Sequence, residues 1–179
     1  MADTRAASRY AKAILEFAIE RNELDKVNAD FAKLESMIRG SRDFYLFLKS
    51  PVINTEKKRA VFSAVLKDNV TLTMYHFILL LTTKNRETII PEIIEQFHKQ
   101  YDEREGIINV TLRTASKFSD EQQKSLIRSI QEATKKNVRL QEIQDAELIG
   151  GFTVSYEDTV LDGSVRQQLA ALKERLVGV

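Results

Sequence analysis

The sequence contains no cysteine. That removes disulfides, thiolate nucleophiles and most structural zinc sites. Its two histidines, His76 and His98, offer no Ser-His-Asp arrangement. No run approaches the ~18 apolar residues that a membrane-spanning helix needs. The opening MADTRAASRY lacks the apolar core of a secretory signal, and Asp3 and an early helical pattern speak against an organellar transit segment, so a cytosolic start is expected. Charge of one sign is also missing: 27 Lys and Arg face 26 Asp and Glu, for a formal net charge of +1. Residues 1–105 hold 17 basic against 16 acidic side chains, and residues 106–179 hold 10 against 10. Neither part is basic enough to attract nucleic acid through phosphate neutralisation.

The stretch LIGGFTVSYEDTVLDGSVRQQL, residues 148–169, looks at first like a phosphate cradle. A phosphate loop needs Gly-x-x-x-x-Gly-Lys-Ser/Thr between strand and helix, with backbone N–H groups converging on the anion. Here Gly150 and Gly151 precede a strand and no lysine follows in place. The three-glycine dinucleotide fingerprint is absent as well. A structural role accounts for each residue. The paired glycines allow a bulge or close backbone approach, Asp162-Gly163 makes a tight exit, and Ser164 with Gln167 forms a capping box for the last helix.

What remains is a chain of 179 residues, 43% hydrophobic and 30% charged, long enough for one large domain or two small ones. The first hundred residues read as six helices. They span about 5–20, 22–39 with Gly40 at the C′ position, a short piece opened by Ser41 and closed before Pro51, 55–67 capped by Thr55, 71–84, and 88–105. In the last of these, Thr88 as N-cap would put Pro91 in the first turn, where its missing N–H costs nothing. Lys57-Lys58-Arg59 reads as a solvated helix face. From Gly106 the pattern changes. Ile108, Val110 and Leu112 alternate as in a strand, and SDEQ at 119–122 is a capping box for a helix to about Lys136. Val138 and Leu140 suggest a second strand. Phe152, Val154 and Tyr156, a turn at Glu157-Asp158 and a return through Val160-Leu161 give a hairpin before a helix at 165–177. The expected fold is α+β: an N-terminal six-helix bundle, residues 1–105, then a small α/β domain with a short sheet and a C-terminal helix, residues 106–179.

Two helices are more apolar than a surface helix facing one core requires; the excess sits either against a second neighbour within the bundle, as for a central helix, or against a helix of another chain. A surface helix needs an apolar stripe of ~100°. In the first helix Tyr10, Ile14, Phe17 and the alanines spread over roughly 200°. In the fifth, Leu72, Met74, Tyr75, Phe77, Ile78, Leu79, Leu80 and Leu81 surround the axis almost completely. If the two lie side by side, the groove between them accepts another amphipathic helix. Glu95 and His98 stand at the Glu-x-x-His spacing of di-iron bundles, but that site needs two such steps and two further glutamates. Composition and periodicity alone give a two-part binding or scaffold protein. A helical adaptor, an iron enzyme using Glu95 and His98, and an RNA-binding C-terminal domain are the rival classes.

Five segments in order resemble a known family: ASRYAKAILEFA at 7–18, LKSPVINTEKKRAVF at 48–62, FILLLTTKNRETIIPEIIEQF at 77–97, GIINVTLRTASKFSDEQQKSL at 106–126 and GGFTVSYEDTVLDGSVRQQLAALKERL at 150–176. The chain resembles the delta subunits of bacterial F-type ATP synthases, counterparts of the mitochondrial oligomycin-sensitivity-conferring protein. One departure is Tyr156-Glu157-Asp158, where relatives often carry a glycine in the turn. The resemblance implies a non-catalytic stator subunit without cofactor or metal. It would link the catalytic head to the b-subunit stalk, so that the head resists rotor torque during proton-driven synthesis. It implies that the groove between the first and fifth helices binds the N-terminal helix of an alpha subunit, with Tyr10, Ile14, Phe17, Tyr75, Phe77 and Ile78 as candidate contacts. It implies that the C-terminal domain meets the C-terminal ends of the b subunits. The protein would be peripheral, on the cytoplasmic face of the bacterial inner membrane, with no membrane insertion and no nucleic acid. Gly150, Gly151, Asp162, Gly163, Ser164 and Gln167 are the structural signature.

Overall fold

Six helices precede the first strand in the computed structural model, which describes residues 2–177. They are α1 (Ala2–Glu20), α2 (Leu24–Gly40), α3 (Arg42–Lys49), α4 (Thr55–Leu66), α5 (Leu72–Thr83) and α6 (Ile90–Glu105). Short polar side chains start three of them. Ser41 accepts from the Phe44 N–H, Asn54 from the Lys57 N–H and Thr71 from the Met74 N–H, each satisfying an amide that the first turn leaves unpaired.

Three local expectations are corrected. Asn54, not Thr55, caps α4; the Thr55 hydroxyl instead donates to Asn85 Oδ1 at 3.1 Å. Gly40 is the last helical residue of α2 rather than a left-handed C′ residue, because Ser41 ends α2 in extended conformation and caps α3 at once. Thr88 does not cap α6: Glu87–Ile89 forms a 3₁₀ turn that runs straight into Ile90.

Contacts cluster into two compact units, Met1–Tyr101 and Asp102–Val179. In the first, Ala7, Ala11 and Ala18 have no exposed surface, so α1 packs with small side chains where it meets the core. Phe31 of α2 is the hub. Its ring stacks on Phe97 of α6 at 4.1 Å between centroids and meets Phe77 of α5 edge-on at 6.4 Å. Leu34, Leu48, Phe62, Leu66, Met74, Ile78, Leu81, Ile90 and Ile93 are buried in the same unit. Lys58 does not lie on a solvated face. It is 2% exposed, and its ammonium donates to Glu87 Oε1 at 2.5 Å, while Lys57 and Arg59 remain outside.

The second unit has a four-stranded sheet in the order β2-β1-β3-β4. Strand β1 (Ile107–Thr114) runs parallel to β2 (Asn137–Gln144), and α7 (Asp120–Thr134) lies between them in sequence, as a parallel pair requires. The expected capping box is formed: Ser119 Oγ accepts from the Gln122 N–H and Gln122 Oε1 accepts from the Ser119 N–H. Strands β3 (Phe152–Tyr156) and β4 (Thr159–Asp162) add the hairpin, with β3 antiparallel to β1. Period-two alternation sends Ile108, Val110, Leu112 and Val154 to one face, where they bury Ile130 of α7. Asp102, at the end of α6, accepts from Arg139 at 3.0 and 3.1 Å and from Asn109 at 2.6 Å, so the last turn of α6 belongs with the sheet. Helix α8 (Val165–Val177) follows β4.

Candidate functional site, an apolar groove in the helical unit

Between α1 and α5 lies a groove of about 470 Å³. Tyr10, Ala13, Ile14 and Phe17 form one wall, and Thr73, His76, Phe77 and Leu80 form the other. Both sets follow the same spacing, three, one and three residues apart. That is the spacing of a single stripe along one helix face. Ile14 and Phe77 are 3% and 8% exposed and form the floor, whereas Phe17 and Leu80 are 42% and 50% exposed and form the lips. Among the described residues lining the groove there is no Asp, Glu, Lys or Arg. The Arg21 guanidinium lies 4.5 Å from the centroid of the Phe17 ring.

Of the six residues expected to line it, four do: Tyr10, Ile14, Phe17 and Phe77. Tyr75 turns toward α4, with its hydroxyl 2.8 Å from Ser63 Oγ, and Ile78 lies in the core at 1% exposure. Thr73, His76 and Leu80 take their places. Stepping from Phe77 by four residues back and three forward finds Thr73 and Leu80, and His76 lies three and four residues from those two, whereas choosing by size finds Tyr75 and Ile78. Ala13 has too little side chain to stand out. The second groove, between α2 and α6, is lined by Glu35, Ile38, Arg39, Pro91, Ile94, Glu95 and His98. There His98 Nε2 is 3.6 Å from Glu35 Oε2, and no group of three or more metal-ligating side chains exists among the described residues.

In the second unit the signature residues lock a turn. Gly151 has φ +76°, and a Cβ there would collide with the Gly163 carbonyl oxygen and come within 3.0 Å of Ser164 Cα. The backbones are tied on both sides, Gly163 N–H to Phe152 O and Val165 N–H to Gly150 O, each at 2.9 Å. Ser164 Oγ accepts from the Gln167 N–H at 3.1 Å. The reciprocal half of the expected capping box belongs to Asp162, whose Oδ1 accepts the Ser164 N–H at 2.8 Å. Hydrogen bonds from the Ser164 side chain and backbone together lower the Asp162 pKa. In the hairpin turn Glu157 adopts φ +47°, the conformation for which a glycine would be the usual choice.

Residues 6–176 match the family described as ATP synthase delta (OSCP) subunit. The chain is 41% identical over 177 residues to the ATP synthase subunit delta of Chlorobaculum parvum, covering 99% of this chain and 98% of the relative. It is 40% identical to that of Chlorobaculum tepidum over the same spans, and 39% identical to that of Chloroherpeton thalassium over 94% and 92%. A solved chain from the mitochondrial ATP synthase hexamer of Toxoplasma gondii shares the fold at a TM-score of 0.74 and 22% identity, over 96% of this chain and 97% of that one. The fold is a helical unit carrying an apolar groove, followed by a small α/β unit, and the chain belongs to the ATP synthase delta (OSCP) subunit family. The reading as a helical adaptor of other ancestry gives way to that match.

Proposed function

We propose that the α1–α5 groove holds the N-terminal helix of the ATP synthase alpha subunit, and that the C-terminal domain takes the C-terminal ends of the b subunits. As a member of its family the chain is a subunit of the stator, the peripheral stalk of the ATP synthase, which joins the catalytic head to the b-subunit stalk. In this proposal residues 1–105 are the head-binding bundle and residues 106–179 the stalk-binding domain. The protein does no chemistry itself and lies at the cytoplasmic face of the bacterial inner membrane. No helix among the described residues is long and apolar enough to cross a membrane.

The physical task is to resist torque. When the rotor turns inside the head, an untethered head turns with it and stores no work. A tether therefore needs slow dissociation, and differences in affinity appear mostly in off-rates. A groove with an apolar floor, open lips and no charged lining residue supports this reading, because an amphipathic helix laid along it buries apolar surface on both walls. Phe17 and Leu80 anchor it from opposite sides.

Titration of the purified chain with a peptide of the alpha N-terminal helix tests the assignment. Phe17→Asp and Leu80→Asp place a charge on a lip already 42% or 50% exposed, so the unit stays folded. Each is expected to cost about 2 kcal/mol or more in binding. Unchanged affinity in both variants, with wild-type circular dichroism, contradicts it.

A further inference from the structure

We infer that Glu23 sets the spacing between the two walls of the groove and is a positioning residue for the docked helix. The inference rests on the groove reading above and goes beyond it by naming what holds the groove at its width.

Glu23 stands in the turn between α1 and α2, at the N-cap position of α2. Residues that cap well there are Ser, Thr, Asp and Asn, and the Glu23 side chain makes no capping hydrogen bond. Its three polar groups go to three different helices. The backbone N–H donates to Ala18 O of α1 at 2.8 Å, and the carbonyl accepts from Val27 N of α2 at 2.9 Å. The carboxylate Oε2 accepts from the Thr73 hydroxyl of α5 at 2.7 Å. Thr73 is 6% exposed and lines the groove. One residue therefore grips the end of one wall through its backbone and the first turn of the other through its side chain. Asn22, at φ +55°, gives the chain the sharp turn that brings Glu23 there. A hydrogen bond to an ionised carboxylate is shorter and stronger than a neutral one, and Thr73 has little water to replace it. Asp30 of α2, 2% exposed, accepts from the Thr71 N–H at 2.7 Å and fixes the start of α5 against α2. With that end held, loss of the Glu23–Thr73 bond frees the face of α5 that carries Thr73, Phe77 and Leu80.

The experiment uses the full chain, the alpha N-terminal peptide as probe, and isothermal titration alongside urea unfolding of the same samples. Glu23→Ala and Thr73→Val are each expected to weaken binding about tenfold, and the double variant no further than about twofold beyond either single one, because both remove the same bond. Glu23→Gln, whose amide oxygen still accepts from Thr73, is expected to stay within about threefold of wild type. Lys49→Ala is the control. It removes the Lys49–Glu92 pair, 2.9 Å, elsewhere in the helical unit, and is expected to leave affinity unchanged whatever it does to stability. Wild-type affinity in Glu23→Ala, additive losses in the double variant, or equal weakening by Lys49→Ala overturns the assignment to Glu23 while leaving the groove reading intact. A wild-type chain that does not bind the peptide overturns the groove reading and this inference with it.

Discussion

Lys58 of α4 and Glu87 of the turn before α6 form an ion pair inside the helical unit, 2.5 Å from Nζ to Oε1, with side-chain exposures of 2% and 7%. The pair ties two segments that are 29 residues apart. Glu87 Oε2 has no hydrogen-bond partner among the described residues, so the lysine alone compensates the carboxylate. Removing one member of such a pair leaves an uncompensated buried charge, which costs about 3–5 kcal/mol, whereas replacing both with apolar groups of similar size is far less harmful. Lys58→Met is therefore expected to lower the urea midpoint sharply, and Lys58→Met with Glu87→Leu to recover most of the loss. Equal destabilisation by the single and double variants contradicts this account.

Gly151 carries a different constraint. At φ +76°, with the Gly163 backbone where a Cβ would go, Gly151→Ala strains the junction of β3 and α8 whatever rotamers its neighbours adopt. A cost of about 2 kcal/mol or more is expected. Gly163→Ala meets ordinary contacts only, 3.4 Å from Phe152 O and 3.9 Å from the Phe152 ring, and is expected to be milder. Hydrogen exchange on the β3 amides distinguishes them: faster exchange in Gly151→Ala than in Gly163→Ala is the predicted order.

Asp162 supplies a pH dependence with a definite sign. Its carboxylate accepts from the Ser164 side chain and backbone, which hold its pKa below the ordinary value of 3.8. A carboxylate whose pKa is lower in the folded state than in the unfolded chain adds stability above the unfolded value and loses it as the pH falls through the folded one. The gap in unfolding midpoint between wild type and Asp162→Ala is expected to be present at neutral pH and to close below 3.8. A gap that widens on acidification contradicts the assignment.

The sequence was most legible where one period or one local hydrogen bond decides the structure. The alternation of Ile108, Val110 and Leu112, the reciprocal Ser119–Gln122 cap and the helix start at Thr71 need no information from elsewhere. Position across the fold was harder. Lys58 looks solvated between Lys57 and Arg59, and only Glu87 explains its burial. Helix α5 is apolar almost all round, so its periodicity gives no direction. Tyr75 and Phe77 are equally plausible on size, and tertiary packing sends one to Ser63 and the other to the groove. Spacing pairs Gln167 with Ser164, but Asp162 lies two residues away from Ser164 and takes its amide. An excess of apolar surface marks α1 and α5, but periodicity does not say that the two lie side by side. The width of the groove depends on Glu23, whose side chain crosses to Thr73, 50 residues along the chain.

The absence of cysteine allows a direct test of the docking proposal. Leu80→Cys puts a single thiol on the lip of the groove, at a position 50% exposed. Purified ATP synthase carrying this variant, with single cysteines stepped along the alpha N-terminal segment, is oxidised and resolved by mass. Disulfide formation with alpha at positions recurring every three or four residues, as one face of a docked helix requires, is the predicted result. No alpha adduct at any position, in a complex that still retains the subunit, contradicts the account.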